Sequence, residues 1–293
     1  MGFLTALPCR IALALLGASI ATGVLAQGAW PSKPIKFIVP FPPGGGADAT
    51  ARIVALELSK ALGQQVIIEN RGGGGGTIGV AAGMKSPPDG YTVFLGTPGP
   101  MAVSPTLAPD LPYDPTRDMA PVSKLATTSL LLAVPGSSAV HSVQDLIATA
   151  RAKPGSLSFA TAGNGTSYHP AGELLKQIVD INMTHVPYKG TAPATIDTLA
   201  GQVQVGILDL TSALPHVRSG KLRSIGITSG RRTALAPDIA TNAESGLPGF
   251  DVTTWFIMGA PAGVPRDIVT RLSAETARAC DPRGPRARSR HRQ

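Results

Sequence analysis

Short apolar strands alternate with helix-like stretches, and glycine-rich loops sit at the junctions. Few folds accept that order. Residues 34–39 read as a strand, 40–48 as a Pro/Gly loop, and 49–62 as a helix with Ala49, Ile53 and Leu56 on one face and Gly63 as its stop. Val66-Ile67-Ile68 is a second strand, and 72–76 is a run of five glycines. A short helix at 77–84 and a third strand at 91–95 follow, the latter announced by the turn Pro87-Pro88-Asp89-Gly90. Strand, helix, strand predicts a parallel sheet with helices on its faces.

A Pro-rich passage covers 98–121, and the pattern then restarts. Strands are expected at 130–134, 157–160, 185–187, 203–208 and 222–228, with helices between them. Ser142 caps one helix, with Asp145 as its capping-box partner. A return segment at 255–260 and a helix at 265–279 close the chain. The fold class is therefore α/β, with two Rossmann-like lobes joined by two hinge crossings, near 122–130 and 224–230. Two crossings make a cleft that can open and shut. We assign 1–26 to a leader, 27–125 with 229–280 to lobe 1, 126–228 to lobe 2, and 281–293 to a basic, disordered tail.

The chain has 293 residues, enough for two lobes with sizeable cores. Its net charge of +8 suggests nucleic acid at first sight. Yet residues 278–293 hold six arginines against one aspartate, and Arg10 lies in the leader, so the body carries only about +2. No nucleic-acid partner is expected. Residues 1–26 have a basic start, an almost wholly apolar stretch at 11–20, and Val24 and Ala26 at the cleavage positions. They read as a secretory signal cut after Ala26, so the mature chain is exported. No later apolar run approaches the ~18 residues of a membrane span. After cleavage Cys280 is the only cysteine left, and no intramolecular disulfide can form.

Candidate ligand positions lie where a strand ends and a helix begins, the ligand side of an open α/β sheet. The first loop offers Phe41, Pro43, Gly44, Gly45, Gly46 and Asp48. Its glycines let backbone approach a ligand, and the free N–H groups of a helix start favour an anion. Asp48 serves either as a ligand contact or as a helix cap. The loop 162–169 repeats this arrangement in the other lobe with Gly163, Asn164, Gly165, Thr166, Ser167 and His169. Thr166 or Ser167 could cap the helix and aim a hydroxyl at the cleft. His169 is a base, a metal ligand or a packing residue. Asp209, at the end of a strand, either receives a ligand amine or caps the helix at Thr211. Thr97 and Ser104 either donate hydroxyls or shape a turn. Gly74, Gly76 and Gly79 satisfy G-x-G-x-x-G, but after the second strand and within a run that matches many patterns. No G-x-x-x-x-G-K-[ST] or G-x-S-x-G occurs. Neither a cofactor nor a metal is expected.

Ordered motifs extend these observations. They are Pro40-Phe41-Pro42-Pro43-Gly44-Gly45 with Asp48, Asn70-Arg71 before the glycine run, and Pro88-Asp89-Gly90-Tyr91-Thr92. Leu111-Pro112-Tyr113-Asp114-Pro115, Ala162-Gly163-Asn164-Gly165, His185-Val186-Pro187-Tyr188-Lys189-Gly190 and Ser212-Ala213-Leu214-Pro215-His216 follow. Gly246-Leu247-Pro248-Gly249 and Ala260-Pro261-Ala262-Gly263 complete the set. From about residue 34 to 279 the chain resembles the solute-binding receptors of tripartite tricarboxylate transporters, the Bug family. Gly72 stands where that family usually has proline.

The resemblance implies a two-lobed periplasmic binding protein of type II-like fold, not an enzyme. It would bind a small organic carboxylate, of di- or tricarboxylate or acidic amino-acid type, and deliver it to membrane permease subunits. In the family, backbone N–H groups and waters from the two lobe loops hold the carboxylate, which maps here onto 42–48 and 163–169. Asp209 matches the residue that meets the ligand amine in amino-acid-binding members. A monomer is expected. The alternatives are a ligand sensor presenting its closed form to a signalling partner, and an oxidoreductase using the Gly74 loop. Neither loop carries Arg or Lys between 41 and 48 or between 163 and 169. Recognition should then rest on two helix starts, one per lobe, meeting at one carboxylate. Family members usually continue for several tens of residues past the helix at 265, so a frameshift or shortened reading frame is expected, with a natural basic tail as the alternative.

Overall fold

The computed structural model describes residues 30–108 and 110–281. The expected leader at 1–26 lies outside the described residues, as does the expected basic tail at 281–293 apart from Asp281. Lobe 1 begins with β1 (Ile35–Val39), α1 (Gly46–Leu62), β2 (Val66–Asn70), a 3-10 turn (Gly74–Gly76), α2 (Thr77–Met84) and β3 (Thr92–Gly96). A π turn (Gly99–Val103) and α3 (Ser104–Leu107) lead to β4 (Met119–Pro135). Lobe 2 continues with α4 (Val143–Ala152), β5 (Ser158–Thr161), α5 (Tyr168–Val179), β6 (Thr184–Pro187), α6 (Thr191–Leu199), β7 (Val205–Asp209), α7 (Leu210–Arg218) and β8 (Leu222–Ile227). The chain then returns through β9 (Thr253–Pro261) and α8 (Arg266–Cys280).

The strands run in the order β2-β1-β3-β9-β4-β7-β5-β6, with β8 on β4. β1 pairs in parallel with β2 and β3, and β5 in parallel with β6 and β7, as strand–helix–strand units require. β9 is an antiparallel insertion in the first sheet, and β4 is an antiparallel strand shared by both sheets.

β4 joins the two sheets. Residues 119–129 pair with β9 in the first sheet, and Leu130 onward pairs with β7 and β8 in the second. The sequence places this crossing between 125 and 126; the pairing changes between Ser129 and Leu130. The segment 229–252, expected in lobe 1, packs with lobe 2 instead. Leu247 and Phe250 join the cluster around Phe159, and Ala236 joins that around Leu208. The second crossing therefore falls near Val252, where the Val252 amide donates to Thr228 O over 2.8 Å. The start of β4 overlaps the Pro-rich passage, ahead of the strand expected from 130. Pro121 sits at a register irregularity, where a strand tolerates a missing N–H.

Each sheet is covered on both faces, and strand periodicity sorts the residues. Phe37 and Val39 face the α1 and α8 core, while Ile38 faces α2 with Val80 and Phe94. In lobe 2 Leu130, Leu132 and Val134 face Phe159, Leu146 and Leu175, and Leu131 and Ala133 face Leu208 and Leu214. Burying each such large side chain contributes about 1.5–3 kcal/mol.

α1 starts at Gly46, earlier than the expected Ala49, and ends at Gly63, whose φ of 69° lets its N–H reach Ser59 O. Asp48 explains the early start. In the first turn its carboxylate accepts the Gly44 N–H at 3.0 Å, Arg52 Nε at 2.9 Å and Asn70 Nδ2 at 2.9 Å. Burial opposes ionisation of Asp48, but these three donors outweigh it and hold the carboxyl below its usual range. The helix thus winds back into the glycines, and the Gly46 N–H is left facing outward from its start.

Candidate functional site

The Gly46 N–H meets lobe 2. It donates to Asp209 Oδ2 over 2.9 Å. Asp209 ends β7 and is 1% exposed. Its second oxygen accepts the Tyr168 hydroxyl at short range, and Oδ2 also accepts Thr191 Oγ1 at 2.5 Å. Asp209 does stand at the N-cap of α7, yet its side chain makes no cap bond there. Its carboxylate instead crosses the cleft. A buried charge needs this many donors. Burial first, then the neighbouring Asp209 charge, pushes the Tyr168 hydroxyl well above its ordinary pKa, so it remains a donor.

Around this pair the lobes enclose a cavity of about 20 Å³, room for about one water. Phe41, Thr97, Thr166, Ser167, Thr191 and Phe256 are among its walls, and none of the lining residues is Lys or Arg. Anything much larger than a water enters only if the lobes part, which two crossings permit.

The predicted residues separate into groups. Phe41, Gly45, Thr97, Thr166, Ser167 and Asp209 line the cavity, and Gly46 supplies the cross-lobe N–H. Pro43 and Gly44 are exposed at the rim, where a Cβ on Gly44 would stand 3.6 Å from Ala192 Cβ of lobe 2. Asp48 shapes the loop from behind. Neither Thr166 nor Ser167 caps α5: Thr166 Oγ1 donates to Gly163 O at 2.7 Å, and Ser167 Oγ lies 3.2 Å from Thr254 Oγ1. Ser104 is buried near Gly165.

His169 points away from the cavity. Its ring stacks on His185 at 4.1 Å and 9°, and His185 stacks on Phe159 at 4.9 Å. His185 Nε2 lies 2.7 Å from Thr161 Oγ1. Burial, followed by the His169 ring, lowers the His185 pKa to about 4. Among the described residues no three His, Cys, Asp or Glu side chains gather as a metal would need.

The glycine run takes a structural part. Gly73, Gly74, Gly75 and Gly76 all have positive φ, between 57° and 130°. A Cβ on Gly75 would strike Asn164 O of the opposite lobe, and one on Gly99 would stand 2.8 Å from Gly165 O. Only glycine allows backbone to meet backbone this closely.

Sequence reasoning missed Tyr168, Thr191, Thr254 and Phe256. Thr191 opens α6 directly after Gly190, so the strand-to-helix rule could have found it. Tyr168 lay inside the second loop. Thr254 and Phe256 come from β9; the sequence marks a return segment at 255–260, but no local motif aims it at the cavity.

Two α/β lobes with a shared hinge, closing on each other at helix starts, define a two-lobed binding protein. The chain belongs to the tripartite tricarboxylate transporter family of receptors, whose profile matches residues 50–286. This is a family of solute receptors, not of enzymes. BugT of Bordetella pertussis is 39% identical over 266 residues, covering 89% of this chain and 82% of that one. The R. palustris protein Rpa4515, solved with adipate, superposes with a TM-score of 0.82 at 38% identity, covering 85% and 83% of the two chains. MatC from Rhodopseudomonas palustris, solved with malate, gives 0.81 at 33% identity over 87% and 86%.

Proposed function

We propose that this chain is an exported, periplasmic receptor that closes on a small organic carboxylate and hands it to the membrane subunits of a tripartite transporter. One observation carries this reading. The interlobe site already accommodates a carboxylate, that of Asp209, on a helix-start N–H with two hydroxyls and without any basic side chain. A ligand carboxylate asks for the same chemistry. Adipate and malate in the R. palustris structures support a dicarboxylate. Phe41, Gly45, Gly46, Thr97, Thr166 and Ser167 are the proposed contacts.

A thermal-shift screen tests this. Malate, adipate, citrate, aspartate and glutamate are compared with neutral sugars and lysine. A carboxylate at 100 times its Kd should add about 2.7 kcal/mol to the folded state. Shifts from sugars or lysine alone would refute the carboxylate reading. Sequencing the amino terminus of periplasmic protein tests the export step, with Gln27 expected first.

A further inference from the structure

We propose that Asp209 is a built-in latch: the receptor's own carboxylate docks on the start of α1 and holds the lobes closed without any ligand.

The argument begins in lobe 2. Thr191 and Tyr168 both belong to that lobe and both donate to Asp209. They fix the carboxylate at the carboxyl end of β7 whether or not the lobes meet. The Gly46 N–H reaches the same carboxylate from lobe 1, 163 residues away in sequence. It opens a helix of 17 residues whose N-terminus carries roughly half a positive charge. Gly45, the N-cap, brings no side chain to the start of the helix. An anion from the opposite lobe takes its place.

The fit is close. A Cβ on Gly46 would stand 2.7, 2.8 and 2.9 Å from the three carboxyl atoms of Asp209. Two further seams seal the same joint, Gly75 against Asn164 O and Gly99 against Gly165 O. Neither brings a charge. The latch is therefore the one ionic contact among these closing contacts. A ligand that uses the α1 start has to displace Asp209; this consequence rests on the receptor reading above, while the latch itself does not.

Small-angle X-ray scattering of the full purified protein, in a buffer without carboxylates, tests the latch. Wild type, Asp209→Ala and Gly46→Ala are compared. Gly46→Ala obstructs the contact from lobe 1 and leaves Asp209 untouched, and alanine suits a helix start. A compact chain of this length has a radius of gyration of roughly 19 Å. Both variants should exceed wild type by roughly 1 Å through hinge opening, with unchanged far-UV circular dichroism. Wild-type scattering from Gly46→Ala overturns the proposal. Should Asp209→Ala lose its circular dichroism, Gly46→Ala decides alone. Malate then serves as a probe by calorimetry. Failure of malate and the other acids to bind counts against the receptor reading and leaves the scattering result, and with it the latch, unaffected.

Discussion

Gly45, at the start of α1, faces Thr191, at the start of α6, so closely that a Cβ on Gly45 would lie 2.7 Å from Thr191 Oγ1. Two helix starts, one per lobe, therefore do meet in the cleft. The partner of α1 is α6 together with Asp209, where the sequence pointed to α5.

Gly45→Val should prevent full closure. Affinity for a confirmed carboxylate should fall at least tenfold, about 1.4 kcal/mol, measured by calorimetry. The melting temperature should drop by only a few degrees, since valine is merely a poorer N-cap, at ~1 kcal/mol. Full affinity with a normal fold would place the ligand elsewhere.

Asp48→Ala should act on stability. It strips the Gly44 N–H, Asn70 and Arg52 of a shared acceptor, at a cost of roughly 2–4 kcal/mol by urea unfolding. Arg52→Ala should cost under about 1 kcal/mol, because that side chain is 53% exposed. Equal costs for the two variants would refute this account of the loop.

Tyr168→Phe leaves one oxygen of a buried carboxylate without its hydroxyl donor. A loss of about 1–3 kcal/mol is expected. The urea midpoint should fall at unchanged slope. A neutral outcome would mean that the hydroxyl does not stabilise Asp209.

His185 predicts a pH dependence. Its folded pKa of about 4 lies below the ordinary 6.5. As pH falls below 6.5 the unfolded chain takes up the proton first, so this group's contribution to stability declines from pH 6.5 to about 4 and is flat outside that window. The His169 ring adds to the cost of charging His185, as does Lys176, while Glu173 relieves it. The melting temperature of His185→Gln should fall less steeply across that window than wild type. Parallel curves would refute the assignment.

Much of the architecture is written locally. Short, nearly continuous apolar runs at 35–39 and 92–96, glycine stops such as Gly63, and the Ser142 cap bonding the Asp145 N–H at 3.1 Å depend on neighbours a few residues away. Where the contact partner is remote, local pattern misleads. The sequence starts β4 only at 130, because the partner of 119–129, β9, lies more than a hundred residues downstream. His169 looks like a cleft residue until the His185 ring, brought alongside by β6, is seen to hold it.

By itself the sequence determined two α/β lobes, their double crossing and two glycine loops at strand ends, because apolar period, turn chemistry and helix caps are short-range properties. The tertiary structure alone decided what Asp209 does. Its place at the end of a strand is compatible with a cap, a ligand contact or a bridge. Only the approach of Gly46 across the cleft, which the missing Cβ atoms of Gly45 and Gly46 permit, turns that carboxylate toward the other lobe.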